Sequence, residues 1–200
     1  MTLWRGAPLV LASKSAVRRS LLEAAGIPVE VDPADIDERA IEAPLAGAAP
    51  EKIALWLARE KALVVTSRRQ GALVLGADQT LALSARRFSK PASLAAAREQ
   101  LVVLSGKTHA LHSGVTVARD GIVVFETVAT ARLTMRALSD EAIDAYLTAA
   151  GERVMRSVGA YQLEGLGVHL FERVEGDHFT ILGLPLLPLL AFFRREGLLP

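Results

Sequence analysis

Short apolar runs alternate with segments of helical periodicity along almost the whole chain. Of all features of the sequence, this alternation restricts the fold class most strongly. Short apolar runs bounded by turn residues are typical of buried strands, and apolar residues three and four positions apart predict helices. Interleaved elements of this kind predict an α/β fold, in which flanking helices cover a mixed, twisted sheet. With no internal repeat or linker, residues 1–200 are expected to form a single domain. The pattern predicts strands at 8–12, 29–31, 73–77, 81–83, 111–118, 122–135 and 168–174, and helices at 16–25, 50–69, 93–104, 139–150 and after Gly183-Leu184-Pro185.

The charge balance and the absence of cysteine exclude several classes of function. A formal net charge of +1 gives no basic surface for duplex nucleic acid. A chain with no cysteine has no disulfide, zinc–thiolate site or cysteine nucleophile, and it is compatible with a reducing compartment. The apolar segment 181–193 is too short to span a bilayer and contains Pro185 and Pro188. We therefore expect a cytoplasmic protein with neither duplex nucleic acid nor a membrane as partner.

The start of the first predicted helix carries the strongest functional signal. Ser13-Lys14-Ser15 follows a strand, and Arg18 and Arg19 lie in the first turn of the helix. A helix N-terminus offers unpaired N–H groups and a partial positive charge, to which two hydroxyls and two guanidinium groups add directed donors. This combination indicates a site for a polyanion, above all phosphate. The alternative is an ordinary capped helix with arginines at the surface.

Carboxylates and lysines elsewhere in the chain would complete such a site. Asp37-Glu38 lies in the long connection 32–50, and Asp78 follows the apolar run 73–77. Triphosphates bind with a divalent metal, and Mg²⁺ takes one or two carboxylates in addition to phosphate oxygens. Asp78 is placed either to bind such a metal or to act as a general base towards water. Lys61 and Lys90 could neutralise phosphate charge, although each by itself is more typical of a protein surface.

Together these residues resemble the Maf family of nucleoside triphosphate pyrophosphatases, over nearly the whole chain. Each matching segment alone is weak evidence, whereas the ordered set at matching separations is specific. The segments are Leu11-Ala12-Ser13-Lys14-Ser15, Arg18-Arg19, Leu21-Leu22, Asp37-Glu38, Leu57-Ala58-Arg59-Glu60-Lys61-Ala62, Gly76-Ala77-Asp78, Lys90-Pro91, Leu104-Ser105-Gly106, Gly159-Ala160-Tyr161, Gly165, Gly167 and Gly183-Leu184-Pro185-Leu186.

The resemblance implies a fold of the Maf and inosine triphosphatase type, with two lobes around a central cleft, and a homodimer. It also implies Mg²⁺ or Mn²⁺ as cofactor and hydrolysis of a nucleoside triphosphate to the monophosphate and pyrophosphate. Glu38 and Asp78 match the acidic positions that handle the metal and the attacking water, and Asp78 matches the family's proposed base. The expected catalytic residues are Asp78, Glu38, Lys61 and Lys90, and the expected substrate-binding residues are Ser13, Ser15, Arg18, Arg19, Gln79 and Glu164.

Departures from the family pattern bear on the base. Val17 precedes the arginine pair, Gln79 replaces a threonine of the pyrimidine-specific branch, and Glu164 replaces a glutamine; all three resemble the branch acting on 7-methyl-GTP. A carboxylate at Glu164 can accept two hydrogen bonds from the N1–H and N2 amino edge of guanine. Against this branch, Gly159-Ala160-Tyr161 follows the general pattern and Val17 lacks an accompanying tryptophan. Hydrolysis of dTTP or UTP, and a non-catalytic nucleotide-binding regulator of cell division, remain alternatives.

Overall fold

Seven strands form one mixed sheet in the computed structural model, which describes residues 3–45 and 47–200. The strand order is β2-β1-β3-β5-β6-β7, and β4 pairs with β3 off this path. Strand β1 is parallel to both of its neighbours, whereas the β3–β4 and β6–β7 pairs are antiparallel. The strands are β1 (Leu9–Leu11), β2 (Val29–Val31), β3 (Val74–Leu83), β4 (Arg86–Phe88), β5 (Thr108–Arg119), β6 (Ile122–Met135) and β7 (Phe171–Glu175).

Helices follow or separate these strands, so the predicted α/β fold with a mixed sheet is confirmed. No helix among residues 3–45 and 47–200 is both long and apolar enough to cross a bilayer. The α-helices are α1 (Ala16–Ala24), α2 (Glu38–Glu42), α3 (Pro50–Thr66), α4 (Leu94–Leu104), α5 (Asp140–Ala150), α6 (His178–Ile181) and α7 (Leu186–Arg195), and short 3-10 helices occupy Ala43–Leu45, Gly151–Arg156, Val158–Ala160 and Leu166–Leu170.

The chain divides into two compact units, and the long strands β3, β5 and β6 contribute residues to both. In the first unit β1 is buried on both of its faces. Leu9 and Leu11 pack into a cluster that includes residues of α1 and α7, while Val10 packs with residues of α3. Helices therefore cover both faces of the sheet there. The first unit comprises Met1–Gln79, His112–Ala129 and His178–Pro200, and the second comprises Thr80–Leu111 and Thr130–Asp177.

Two glycines in the first unit let α3 rest directly on the sheet. A Cβ atom at Gly76 of β3 would collide with the Ala58 carbonyl oxygen and lie 2.7 Å from the Ala62 backbone nitrogen. A Cβ atom at Gly114 of β5 would lie 2.6 Å from the Ala54 carbonyl oxygen. Since no side chain separates the helix from these strands, the position of α3 over β3 is set by backbone contact.

The second unit has its own core and an ion-pair link between its helices. His109, Tyr161 and Phe171 form an aromatic group, in which His109 Nε2 lies 2.6 Å from the Tyr161 hydroxyl. On the surface, Arg98 of α4 donates to Asp140 and Asp144 of α5 at 2.7 Å each. These contacts tie the helices and the irregular segment around Tyr161 into one unit.

Several predicted boundaries are wrong. The strands predicted at 73–77 and 81–83 form one continuous strand, because Asp78 and Gln79 keep extended backbone within β3. The connection 32–50 contains α2 and a 3-10 turn. Asp37 is the N-cap of α2, and its side chain accepts hydrogen bonds from the backbone N–H groups of Arg39 and Ala40. The strand predicted at 168–174 begins only at Phe171, since 166–170 form a 3-10 turn.

Candidate active site

Two serines shape the turn between β1 and α1. Ser15 is the N-cap of α1, and its hydroxyl accepts from the Arg18 backbone N–H at 3.3 Å. The Ser13 hydroxyl accepts in turn from the Ser15 N–H at 3.3 Å. This cap satisfies part of the donor set that a helix start leaves open, and it fixes the turn from which Arg18 projects.

Arg18 is held by acceptors from three different segments of the first unit. Its Nε donates to the Gly183 carbonyl at 2.8 Å, and its Nη1 donates to the Ala77 carbonyl at 2.8 Å and to Ser13 Oγ at 3.1 Å. Among the described residues, Nη2 has no acceptor. Burial lowers the pKa of Arg18, while the nearby charges of Asp78 and Glu38 oppose that shift. The result is a fixed guanidinium group with donors in reserve.

Lys61 forms the centre of a cluster of opposite charges. It projects from α3, is only 8% exposed, and donates from Nζ to Asp78 Oδ1 and to Glu38 Oε1 at 2.6 Å each. Glu38 is the first residue of α2 and remains half exposed. Two carboxylates therefore converge on one largely buried ammonium, and removal of any one of the three charges would leave the others incompletely paired.

Asp78 lies beyond the point at which β3 loses its parallel neighbour. The last β1–β3 pair joins Leu11 to Leu75, so the following residues of β3 continue past the end of β1 and run beside the turn that carries Arg18. Burial raises the pKa of Asp78; Lys61 and Arg18 lower it, and the Glu38 charge adds to the rise. The carboxyl group is thus buried, bonded to Lys61 and within electrostatic reach of Arg18.

Gln79 faces the opposite side of β3 and is fixed by its amide nitrogen. Nε2 donates towards Ser113 Oγ at 2.9 Å and towards the carbonyl oxygens of Thr180 and Ile181 at 3.1 and 3.0 Å. Ser113 is fully buried and donates to the Thr180 carbonyl at 2.7 Å. Sequence reasoning gave no role to Ser113 or to the carbonyls of 180–183; the only sequence signal near them was the Gly183-Leu184-Pro185 motif.

The structure brings together six of the sequence-predicted residues in the first unit; Gln79 and Arg19 belong to the same unit but not to this group, and Lys90 and Glu164 belong to the second unit. Arg19 forms an exposed pair with Glu23 at 2.7 Å. Lys90 is exposed in the second unit between β4 and α4, and Glu164 is exposed on a turn of the same unit. The six residues that meet in the first unit are Ser13, Ser15, Arg18, Glu38, Lys61 and Asp78.

The arrangement suits an anionic substrate that arrives with a hard cation. Glu38 and Asp78 direct oxygen atoms to one point, now taken by the Lys61 ammonium, and oxygen donors of this kind are the ligands that Mg²⁺ and Mn²⁺ prefer. Within residues 3–45 and 47–200, no group of three or more Asp, Glu or His side chains is placed to hold a metal unaided. Phosphate oxygens and water would therefore complete the coordination of such an ion.

Comparisons with known proteins show the family of the chain. A family model described as Maf-like protein matches residues 8–196. A protein of Nitrobacter winogradskyi named nucleoside triphosphate pyrophosphatase is 58% identical over 200 residues, covering 100% of this chain and 99% of that protein. A protein of Rhizobium etli named 7-methyl-GTP pyrophosphatase is 53% identical over 191 residues, covering 94% and 96%. A crystal structure of a nucleoside-triphosphatase / dITP/XTP pyrophosphatase from Mycobacterium abscessus is 17% identical and covers 96% of both chains, with a TM-score of 0.42.

Proposed function

The chain belongs to the Maf family and is a nucleoside triphosphate pyrophosphatase, and from this premise we propose that its substrate is 7-methyl-GTP or another modified guanine-type triphosphate. Water would cleave the anhydride between the α and β phosphates, which releases the nucleoside monophosphate and pyrophosphate. The single observation that carries the proposed chemistry is the convergence of Lys61, Asp78 and Glu38 beside the fixed guanidinium of Arg18.

Arg18 and the turn before it are proposed to bind the phosphates. Ser13 and Ser15 shape that turn, and the reserve donors on Arg18 Nη2 suit a phosphate oxygen. Because the guanidinium is already held by three protein acceptors, little of its conformational freedom remains to be lost when a phosphate binds. The Lys61 ammonium, which is paired with Asp78 and Glu38 in the free protein, would also stabilise the negative charge that develops on the leaving pyrophosphate.

Asp78 is proposed as the general base, with Lys61 and Glu38 setting its proton affinity. Burial raises its pKa, which makes the carboxylate a better proton acceptor than an exposed aspartate. Glu38 and Asp78 are also the residues that would hold Mg²⁺ or Mn²⁺. Such an ion, when bound, would neutralise charge on the phosphates.

Specificity for the base is the finer part of the proposal. The Rhizobium etli relative named for 7-methyl-GTP is 53% identical, although the 58% identical Nitrobacter winogradskyi relative carries the general name. Gln79 and Glu164 are proposed to contribute to substrate selection, and Lys90 to phosphate binding, from the family resemblance. A homodimer and a cytoplasmic location are proposed on the same basis.

A panel of triphosphates tests the proposal. Pyrophosphate release would be measured with 7-methyl-GTP, GTP, UTP and dTTP, each with Mg²⁺ or Mn²⁺. We expect the highest kcat/KM with 7-methyl-GTP. A preference for UTP or dTTP would place the chain in the pyrimidine branch, and binding without release of pyrophosphate from any substrate would favour the regulator instead.

A further inference from the structure

The short helix α6 and the turn that follows it depend on the sheet of the first unit for their position. α6 spans only His178–Ile181, and so short a helix is not stable by itself in water. The turn is closed by the Gly183 N–H, which donates to the Thr180 carbonyl oxygen at 3.0 Å, and Gly183 has a φ of +88°. A glycine in this conformation is a common end of a helix. Segment 178–183 therefore needs bonds from outside itself to keep its place.

Ser113 of β5 provides the shortest of these bonds. Its hydroxyl donates to the Thr180 carbonyl oxygen at 2.7 Å, and the Gln79 amide of the neighbouring β3 donates to the same oxygen at 3.1 Å. With the Gly183 N–H, three donors converge on one carbonyl oxygen, which has only two lone pairs. Ser113 also accepts from the Gln79 amide at 2.9 Å, so the one hydroxyl orients both the carbonyl and the amide.

The same turn holds the guanidinium group of Arg18. The Gly183 carbonyl oxygen accepts from Arg18 Nε at 2.8 Å. A Cβ atom at Gly183 would lie 3.3 Å from Arg18 Nη2 and 3.4 Å from Nε, so the backbone of the turn packs directly on the guanidinium. Gly183 is thus bonded through its N–H to Thr180 and through its C=O to Arg18. A displacement of the Thr180 carbonyl is therefore passed on to the guanidinium.

We propose that Ser113 is a positioning residue for phosphate binding, which acts on Arg18 through Thr180 and Gly183 and does not touch the substrate. Its hydroxyl fixes the turn, and the turn fixes the guanidinium in the orientation in which Nη2 keeps its donors for a phosphate oxygen. A guanidinium that is held before the ligand arrives loses less conformational entropy on binding. This inference rests on the proposed function, specifically on phosphate binding by Arg18.

Removal of the Ser113 hydroxyl is expected to loosen the turn without unfolding it. In Ser113→Ala the Thr180 carbonyl oxygen keeps its bonds from Gln79 and from the Gly183 N–H, so no buried carbonyl is left without a donor. The bond that is lost is the shortest of the three, and the Gln79 amide loses one of its acceptors. We therefore expect a folded protein in which Arg18 is less firmly held.

The first experiment measures binding of inorganic pyrophosphate, with Mg²⁺, to the whole chain by titration calorimetry. Pyrophosphate carries no base, so its dissociation constant reports on phosphate contacts apart from base selection. Ser113→Ala should raise this constant about threefold to tenfold, the range expected when one hydrogen bond is lost. Ser113→Thr keeps the hydroxyl and should stay within about twofold of the native value, whereas Ser113→Val has the same shape without the hydroxyl and should bind as weakly as Ser113→Ala.

Thr116→Val is the matched control for the loss of a buried hydroxyl. Thr116 lies on the same strand and is fully buried, and its Oγ1 has no hydrogen-bond partner among the described residues. The dissociation constant of pyrophosphate should therefore stay unchanged in this variant. Thermal melts of all variants show that each one is folded. Equal binding by Ser113→Thr and Ser113→Val would overturn the inference.

The second experiment is a double-mutant cycle that separates positioning of Arg18 from a general structural role. If Ser113 acts through Arg18, Ser113→Ala should raise the dissociation constant of pyrophosphate in the native chain and leave it unchanged in Arg18→Ala. Equal rises in both backgrounds, or no rise in the native chain, overturn the inference. An unchanged constant in Arg18→Ala alone is a different result, because it overturns phosphate binding by Arg18 and the inference with it. The threonine and valine variants at 113 decide the question even if Arg18→Ala does not fold.

Discussion

Each unit of the molecule buries a titratable group, and the two groups are stabilised in opposite ways. Lys61 in the first unit is 8% exposed and lies between two carboxylates. His109 in the second unit is 2% exposed, contacts the hydroxyl of Tyr161, and its Nδ1 has no described partner. Burial therefore lowers the pKa of His109 to about 4 and keeps the ring neutral. Burial alone therefore does not identify a catalytic group. A buried charge that is paired with opposite charges, as Lys61 is, is the better indication of one.

Asp78→Asn is expected to have the largest effect. The change keeps the shape of the side chain but removes the proposed base and one proposed metal ligand, so kcat should fall by about 10⁴-fold. The variant should still fold, because a group whose pKa burial raises favours the neutral form. Initial rates of pyrophosphate release and a thermal melt measure the two properties. Asp140→Asn, exposed on the second unit, is the control; near-normal turnover in Asp78→Asn would remove Asp78 from the mechanism.

Lys61→Met is expected to come second. Loss of the ammonium leaves Glu38 and Asp78 facing each other, so the pKa of Asp78 rises further and the acidic limb of the rate profile moves to higher pH. We expect kcat/KM to fall by about 10²- to 10³-fold at neutral pH, with partial recovery at higher pH. Lys52→Met, on an exposed position of the same helix, controls for the loss of a lysine. An unchanged pH profile in Lys61→Met would contradict a role in setting the proton affinity of Asp78.

His109→Gln should alter stability and leave turnover unchanged. The folded pKa of His109 lies below its ordinary 6.5, so its stabilising contribution is complete above pH 6.5 and is lost as the pH falls towards 4. That loss amounts to at most about 3 kcal/mol. Denaturant titrations between pH 7 and 4 should show a smaller decline for His109→Gln than for the native chain or for the exposed control His169→Gln. A drop of more than about twofold in turnover at pH 8 would instead connect the second unit's pair with the reaction.

Arg19→Ala should have the smallest effect of the four substitutions, because Arg19 lies outside the charged cluster of the first unit. Arg19 pairs with Glu23 at the surface, unlike its neighbour Arg18. An exposed pair of this kind contributes less than about 1 kcal/mol, and we expect kcat/KM to change by less than about twofold. Arg18→Ala serves as the positive control in the same assay. A large loss in Arg19→Ala would show that the surface pair opens to bind substrate.

The sequence was sufficient for the α/β class and for the serine-capped start of α1, because both depend on short-range patterns. The continuity of β3 was missed, since Asp78 and Gln79 look like a turn until their partners on α3 and on 180–181 are known. The tight hairpin between β5 and β6 has a clear sequence signal, the dipeptide Asp120-Gly121. Asp120-Gly121 adopts positive φ at both residues, as a two-residue hairpin requires.

Contacts between distant segments were beyond the reach of sequence patterns. Nothing local distinguishes Arg18 from Arg19: both are arginines in the first turn of one helix, and one turns towards Gly183 while the other turns to the surface. Ser113 is likewise an ordinary serine in a strand until Gln79 is found against it. Such pairs join residues 34 to 165 positions apart, and their geometry depends on the assembled core.

The close approach of α3 to Gly76 and Gly114 has a consequence for Lys61, the lysine that this helix places in the charged cluster. A lysine normally samples many rotamers, and immobilising it on binding a ligand costs up to about 2 kcal/mol. Here α3 lies so close to the sheet that folding itself confines the Lys61 side chain between β3 and the carboxylates of Asp78 and Glu38. Lys61 therefore loses little further side-chain entropy when a nucleotide binds. A Cβ atom added at Gly76 or Gly114 would displace α3, and with it Lys61, and we expect kcat to fall although neither glycine belongs to the charged cluster.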